Sequence, residues 1–161
     1  MLANLKEDEF FFNTNMHFAL LNKEIAVMID KDNPDFDFAE KCMKALNNLS
    51  EEVIDKLCAC SIKYSEDFCE MVGEEEPEVK TNRDILKYIQ PGALIINADE
   101  REDYDIVLHL ELNCEWEEEH GLEWLIADNE VLYVGSFNDV MPKYHGKGES
   151  WNYVTEEEYF R

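Results

Sequence analysis

The stretch YDIVLHLELNCEWEEEHGLEWLIADNEVLYVGSF, residues 104–137, decides the fold. In its first part an apolar or aromatic side chain recurs at every second position: Tyr104, Ile106, Leu108, Leu110, Leu112, Cys114 and Trp116. This period of two is typical of a β-strand with one face on the core and one polar face. The strand is therefore expected to bury Ile106, Leu108, Leu110 and Leu112, whereas Asp105, His109 and Glu111 are expected to be more exposed or to line a cleft.

The rest of the stretch predicts a β-hairpin. Two apolar runs are separated by Asp128-Asn129, residue types that tolerate the positive φ angles of a tight turn. Between the first strand and this hairpin, residues 117–121 are too polar for a strand and end in Gly121, so they predict a connecting loop.

The first thirty residues predict a small β-hairpin or meander. Three short apolar runs, residues 9–12, 16–21 and 24–29, are separated by the turn-forming residues 13–15 and 22–23. The second and third runs are apolar on both faces, which favours burial on both sides.

Two long helices and a short one are predicted next. Asn33 is the expected cap of the first helix, in which apolar residues follow three-and-four spacing from Phe38 to Leu49. Ser50 is the expected cap of the second and longest helix, and Gly73 its end. A surface loop over 73–80, a short helix over 81–89 that ends at Pro91-Gly92, a strand over 93–96 and a charged turn over 97–103 complete the pattern. Aromatic residues at 151, 153, 159 and 160 predict that the C-terminal tail packs on the domain.

These elements predict a single acidic α+β domain over residues 1–161. It has an N-terminal β-hairpin or meander, two long helices and a short one, and a mostly antiparallel C-terminal sheet with the helices on one face. The sequence leaves open whether the N-terminal strands join that sheet, and it leaves the oligomeric state open too.

Charge and composition restrict the classes of function. The chain has 14 basic and 38 acidic residues, a net charge of -24, which repels nucleic acids and anionic membranes. No stretch approaches the roughly 20 apolar residues of a membrane span, and acids interrupt the N-terminus where a signal peptide would be apolar, so a cytoplasmic location is expected. The odd count of five cysteines fits unpaired thiols in a reducing compartment.

Four residues are candidates for a metal site: His109 and Glu111 of the central strand, and Glu118 and His120 of the predicted loop. Histidine and carboxylate groups are the right ligand types for a divalent ion. However, the loop pair need not fold toward the strand pair, so we expect no metal and no cofactor. The aromatic residues Trp116, Trp124, Tyr133, Phe137 and Trp151 suit either a core or the recognition of a cationic partner, and core packing is favoured.

Residues 114–137, CEWEEEHGLEWLIADNEVLYVGSF, resemble the C-terminal signature of a group of uncharacterised bacterial domains. The shared features, in order, are a tryptophan, a Glu-His-Gly triplet, a further strand and a terminal Val-Gly, which here are Trp116, residues 119–121, residues 122–126 and residues 134–135. Members of such families are met among small acidic proteins encoded near polymorphic toxins, for which immunity roles are proposed. The resemblance implies a binding protein.

Two hypotheses of function follow. The first is a non-enzymatic acidic domain that binds an unidentified, basic protein partner, as an immunity-type inhibitor would bind a toxin; its partner-binding residues would be Trp116, Glu117, Glu118, Glu119 and His120. The alternative is a small ligand- or metal-binding domain or a hydrolase-like enzyme that uses His109, Glu111 and His120.

Overall fold

The computed structural model describes residue 2, residues 4–140 and residues 151–158. The strands are β1 (Lys6–Glu7), β2 (Phe11–Phe18), β3 (Lys23–Asp30), β4 (Ile89–Ile96), β5 (Val107–Cys114), β6 (Glu117–Ala127), β7 (Glu130–Gly135), β8 (Trp151–Asn152) and β9 (Glu157–Glu158). The helices are α1 (Phe36–Leu46) and α2 (Glu51–Val72), with 3-10 helices at Asn82–Tyr88 and Ala98–Glu100. The predicted α+β fold is confirmed.

The N-terminal strands belong to the same sheet as the C-terminal ones. In the described part of the chain, β1 to β7 form one sheet in which strand order equals chain order. Neighbouring strands are antiparallel except β3 and β4, which run parallel with Ala26 beside Ala93 and Ile29 beside Ile96. The helical segment between β3 and β4 therefore has to carry the chain from one end of the sheet back to the other, because parallel neighbours need a crossover connection.

Both helices pack on one face of the sheet. Trp124 of β6 is fully buried, and its Nε1 donates a 3.0 Å hydrogen bond to the Ser61 hydroxyl of α2. The Cys42 thiol of α1 donates to the carbonyl oxygen of Val107 at the start of β5. Along β3 burial alternates, with Ile25, Val27 and Ile29 buried and the residues between them partly exposed, so the predicted burial of this run on both faces is wrong.

The helix ends follow local chemistry. The side chain of Asp35, not of Asn33, caps α1 by accepting from the amide of Phe38 at 3.0 Å. Asn33 cannot be the cap because its φ of 55° is left-handed, whereas a cap residue has extended backbone. Ser50 caps α2 and Gly73, with φ 74°, ends it, as predicted.

Two predicted boundaries in the sheet are wrong. Residues 13–15 are not a turn but the middle of β2, since the ladder to β3 holds Asn13, Thr14 and Asn15 in register. Strand β4 begins at Ile89 and runs through Pro91-Gly92, where the register with β5 shifts. Gly92 is required there because a Cβ would collide with the carbonyl oxygen of Glu111.

Residues 117–121 are also not a loop. They form the first part of β6, and the turn from β5 is only Glu115-Trp116. A bulge absorbs the extra residues, since Leu112 pairs with Leu122 while Cys114 pairs with Glu117. Gly121 takes φ 70° at this bulge, and its carbonyl oxygen accepts a 2.9 Å hydrogen bond from the Tyr64 hydroxyl.

The β6–β7 hairpin and the docking of the tail agree with the sequence. Asp128 and Asn129 have φ angles of 47° and 64° in the two-residue turn. In the tail, the amide of Tyr153 donates to the carbonyl oxygen of Val134, and Tyr153 is buried. Trp151 remains 43% exposed, and the aromatic residues predicted at 159 and 160 lie outside the described residues. Among the helices that the structure describes, none has the length and apolar character needed to cross a membrane.

We expect alkylation to find five free thiols in the unfolded protein without reductant, and slow reaction in the native protein. All five cysteines are buried and unpaired. Burial raises the pKa of Cys42 and Cys58 to about 11 and that of Cys114 to about 12, so little reactive thiolate exists at neutral pH. Mass spectrometry of iodoacetamide-treated protein, with and without denaturant, measures both quantities; a pair protected in the unfolded, unreduced chain would contradict the expectation.

Candidate functional site

The four residues of the candidate metal site do not come together in the structure: His109, Glu111, Glu118 and His120. Among the residues that the structure describes, the ligand atoms that lie within 4.8 Å of one another form two other sets, one of His109, Glu123 and Asp139 and one of Glu117, Glu119 and His120. The two predicted histidines thus belong to different clusters. Glu111 is exposed and Glu118 belongs to neither set.

The first cluster lies on the sheet face opposite the helices. Leu110 pairs with Trp124, which points to α2, so alternation turns His109 and Glu123 to the other side. There the His109 Nε2 contacts the Glu123 carboxylate, and both side chains are buried. The prediction that His109 is more exposed or lines a cleft is wrong for this reason: the second face of the sheet is covered at this point.

Residues 136–140, which we call the strap, provide the cover. The Glu123 carboxylate accepts the amides of Asn138 at 2.8 Å and Val140 at 2.7 Å. The Phe137 ring stacks on the His109 imidazole at 6.1 Å with an interplanar angle of 8°, and Val140 is fully buried. Glu123 therefore ties the strap to the sheet through two backbone donors.

We describe His109 and Glu123 as an ion pair, because neighbouring hydrogen-bond donors and charges stabilise the charged forms of both side chains. Burial alone would lower the pKa of His109, but the hydrogen bond and charge of Glu123, with the charges of Asp139 and Glu100, raise it above its usual value. Burial also raises the pKa of Glu123, which would favour a neutral pair. We assign the charged form, because two amides and the imidazole donate to this carboxylate and such donors stabilise its anion.

Sequence reasoning missed Glu123. The available signal was a single acid inside the otherwise apolar run LEWLI, a place where a buried carboxylate needs a partner. The partner is His109. Glu111 lies directly opposite Glu123 in the ladder, and His109 is two residues before Glu111 on β5, so the pairing depends on strand register and not on sequence spacing.

Three of the five predicted partner-binding residues, Glu117, Glu119 and His120, form the second cluster, and the other two, Trp116 and Glu118, lie beside Glu117 in the sequence. Trp116 and Glu117 are buried, whereas Glu118, Glu119 and His120 are exposed. The Glu117 carboxylate accepts from the amides of Glu119 at 2.9 Å and His120 at 3.2 Å, and it contacts His120 Nδ1 at 2.6 Å. The hydrogen bond and charge of Glu117 raise the pKa of His120. Glu117 thus shapes the start of β6, and its two acidic neighbours project into solvent.

An open groove of about 420 Å³ lies beside this cluster, between the C-terminal end of α2 and the β5–β6 turn. We call it the acidic groove. Its lining combines three apolar side chains with glutamates: Phe68, Val72 and Trp116, then Glu74, Glu115, Glu117, Glu118 and Glu119. No basic side chain from the described part of the chain lines it.

Trp116 carries an unusual feature of this groove. It is only 5% exposed and its ring meets Tyr64 edge-on at 5.6 Å, but its Nε1 donates to no acceptor among the described residues. A buried donor without an acceptor is rare in native structures. The other buried tryptophan, Trp124, has its acceptor in Ser61.

Fold and clusters define an acidic α+β domain with one long mixed sheet, a strap fastened by a buried ion pair and an acidic groove at the sheet end. The chain belongs to a family described as a domain of unknown function (DUF6985), whose model matches residues 1–142. The match spans the strap and both clusters but ends before the described part of the tail. No curated protein and no solved structure matches the chain.

Proposed function

We propose that the protein is a non-enzymatic interaction domain that binds a basic protein partner through the acidic groove, and that it acts as an immunity-type inhibitor of a basic toxin. The observation that carries the proposal is the composition of the groove, which five glutamates line together with three apolar side chains and, among the described residues, no basic one. Such a surface is complementary in charge to a positively charged patch. The bacterial families that the 114–137 signature resembles support the immunity role in particular.

The charge of the whole molecule supports the same partner class. A net charge of -24 creates a field of one sign that speeds encounter with a cationic protein and slows encounter with an anionic one. A larger surface groove of about 790 Å³ lies between β2 and α1, but its lining includes Asp37 and Glu40 together with Lys41 and Lys44. Charges of both signs there give no preference for a cationic partner.

The alternative hypothesis, an enzyme or a ligand-binding domain, required His109, Glu111 and His120 to act together. His109 is buried under Phe137 and bound to Glu123, while His120 is exposed and bound to Glu117. The geometry therefore gives no specific observation in favour of that hypothesis.

Association with the partner should slow about tenfold or more as salt increases from low to high concentration, because salt screens charges beyond about 8 Å at physiological ionic strength. The measurement is stopped-flow association with a partner captured from the source cell, or with the product of a neighbouring gene, after purification. The test variant is Glu118→Gln/Glu119→Gln, since both side chains are exposed at the groove. Glu117 is left intact because it holds the backbone of the turn.

A matched control removes the same charge elsewhere. Glu9→Gln/Glu130→Gln changes two exposed glutamates that line no part of the acidic groove. Glu130 is the first residue of β7 and pairs with Ala127, at the end of β6 that is farther from the groove. We expect the test variant to slow association several-fold more than the control. An association rate that changes neither with salt concentration nor in the test variant would contradict the proposal. Turnover of a small molecule by the pure protein would also contradict it.

A further inference from the structure

We propose that the acidic groove holds an arginine side chain of the partner protein. The inference rests on the proposed function and adds the chemistry of the bound group. Three features support it: the apolar side chains that line the groove, the carboxylates that line it, and the exposed apolar surface beside it.

The apolar lining fits the stem of a long cationic side chain. Phe68 and Val72 come from the last turns of α2, and Trp116 comes from the β5–β6 turn. Lysine and arginine bury their methylene stems against such surfaces and keep the charged group at the polar rim. An acidic side chain would meet only carboxylates at that rim.

The carboxylate rim favours arginine over lysine. Glu74, Glu115, Glu118 and Glu119 all line the groove, whereas the oxygens of Glu117 already accept from the start of β6. A guanidinium group presents five donors in a planar fork, stacks on aromatic rings and loses less hydration than an ammonium group when it enters a groove. Several carboxylates beside Phe68 and Trp116 match those properties.

The surface next to the groove is suited to contact with the rest of the partner. Met71 is 73% exposed and Val72 46% exposed at the end of α2, although both are large apolar side chains. Only Val72 lines the groove. This difference between neighbours provides a matched pair of variants.

The test is a titration of ¹⁵N-tryptophan-labelled full-length protein with the capped tripeptide acetyl-Gly-Arg-Gly-amide, followed by NMR of the indole N–H signals. Lysine and citrulline tripeptides serve as probes of charge and fork geometry. We expect the arginine peptide to shift the Trp116 signal. The citrulline peptide should bind at least about tenfold more weakly than the arginine peptide, and the lysine peptide several-fold more weakly. The Trp124 signal, whose donor is held by Ser61, should not move and reports that the fold is intact.

Val72→Arg places a guanidinium at the groove from within the chain, and a cation is well tolerated near a helix C-terminus. Met71→Arg adds the same charge one residue earlier, on a side chain that does not line the groove. Val72→Arg should weaken binding of the arginine peptide by about tenfold or more. Met71→Arg should weaken the same binding by no more than about twofold. In the spectrum of Trp116→Phe the indole N–H signal that disappears is that of Trp116, which assigns it.

Equal shifts with arginine and citrulline peptides, or equal effects of the two arginine variants, would overturn the inference. If a basic partner binds with the expected salt dependence while Val72→Arg leaves its affinity unchanged, the proposed function stands and the arginine site fails. If the peptide titration succeeds but no basic protein binds, the site stands as a cation-binding groove and the proposed function fails.

Discussion

Replacing Glu123 by alanine should lower the free energy of unfolding by about 3–5 kcal/mol, because removing one partner of a buried ion pair leaves the other charge without compensation. In this protein the same change also removes the acceptor for the amides of Asn138 and Val140. Denaturant unfolding measured by circular dichroism gives the difference. Hydrogen exchange at the two strap amides should accelerate in parallel, since their acceptor is lost.

Glu111→Ala is the control for this variant. Glu111 lies directly opposite Glu123 in the β5–β6 ladder and on the same face of the sheet, but it is exposed. Its removal should change the unfolding free energy by less than about 0.5 kcal/mol. The double variant His109→Leu/Glu123→Leu should be closer to the wild type than Glu123→Ala is, because it removes both buried charges together. Similar losses for Glu111→Ala and Glu123→Ala would contradict the assigned role of the pair.

The pH dependence of the difference between wild type and Glu123→Ala has a defined sign. Because Glu123 raises the pKa of His109 in the folded protein above the unfolded value of about 6.5, the stabilisation that comes from protonated His109 is fully present below that pH. Its contribution is lost as pH rises through the folded pKa of His109. The difference in unfolding free energy should therefore decrease as the pH rises above about 6.5.

Leu110→Ala should cost about 2–5 kcal/mol of stability. Leu110 is fully buried in β5, beside Leu94 of β4 and Trp124 of β6, so truncation leaves a cavity that neighbouring strands cannot easily close. The measurement is again denaturant unfolding, with the midpoint and the slope fitted separately.

The same substitution at Leu5, which is 39% exposed and precedes β1, is the matched control. It should cost well under 1 kcal/mol, since little apolar area leaves water there. A loss below about 1 kcal/mol at Leu110 would mean that the register of β5 differs from the one described here.

Local patterns predicted the helices and several strands because those elements are decided by nearby residues. Ser50 and Gly73 mark both ends of α2, and Asp128-Asn129 marks the hairpin turn. The alternation in β5 correctly identified Leu108, Leu110 and Leu112 as buried, although Ile106 precedes the strand and is only partly buried.

Long-range contacts decided the features that the sequence did not reveal. Asn13–Asn15 read as turn residues, but pairing with β3 outweighs their local preference. Residues 117–121 read as a loop, but a bulge lets the extra residues join β6. His109 looked like a polar-face residue because the strap that covers it begins 27 positions later in the sequence.

The parallel pairing of β3 with β4 also bears on self-association. Strand β4 contains the apolar run Ala93–Ile96, and one side of its backbone is satisfied by β3. The outer edges of the sheet are protected differently: β1 is only two charged residues long, and beside β7 the Asn152 side chain and the Tyr153 amide bond to Val134. Any opening that lifts β2 and β3 away would expose an unpaired row of amides and carbonyls along β4, the kind of apolar edge through which chains aggregate. The N-terminal strands thus keep the apolar edge of β4 paired inside the sheet.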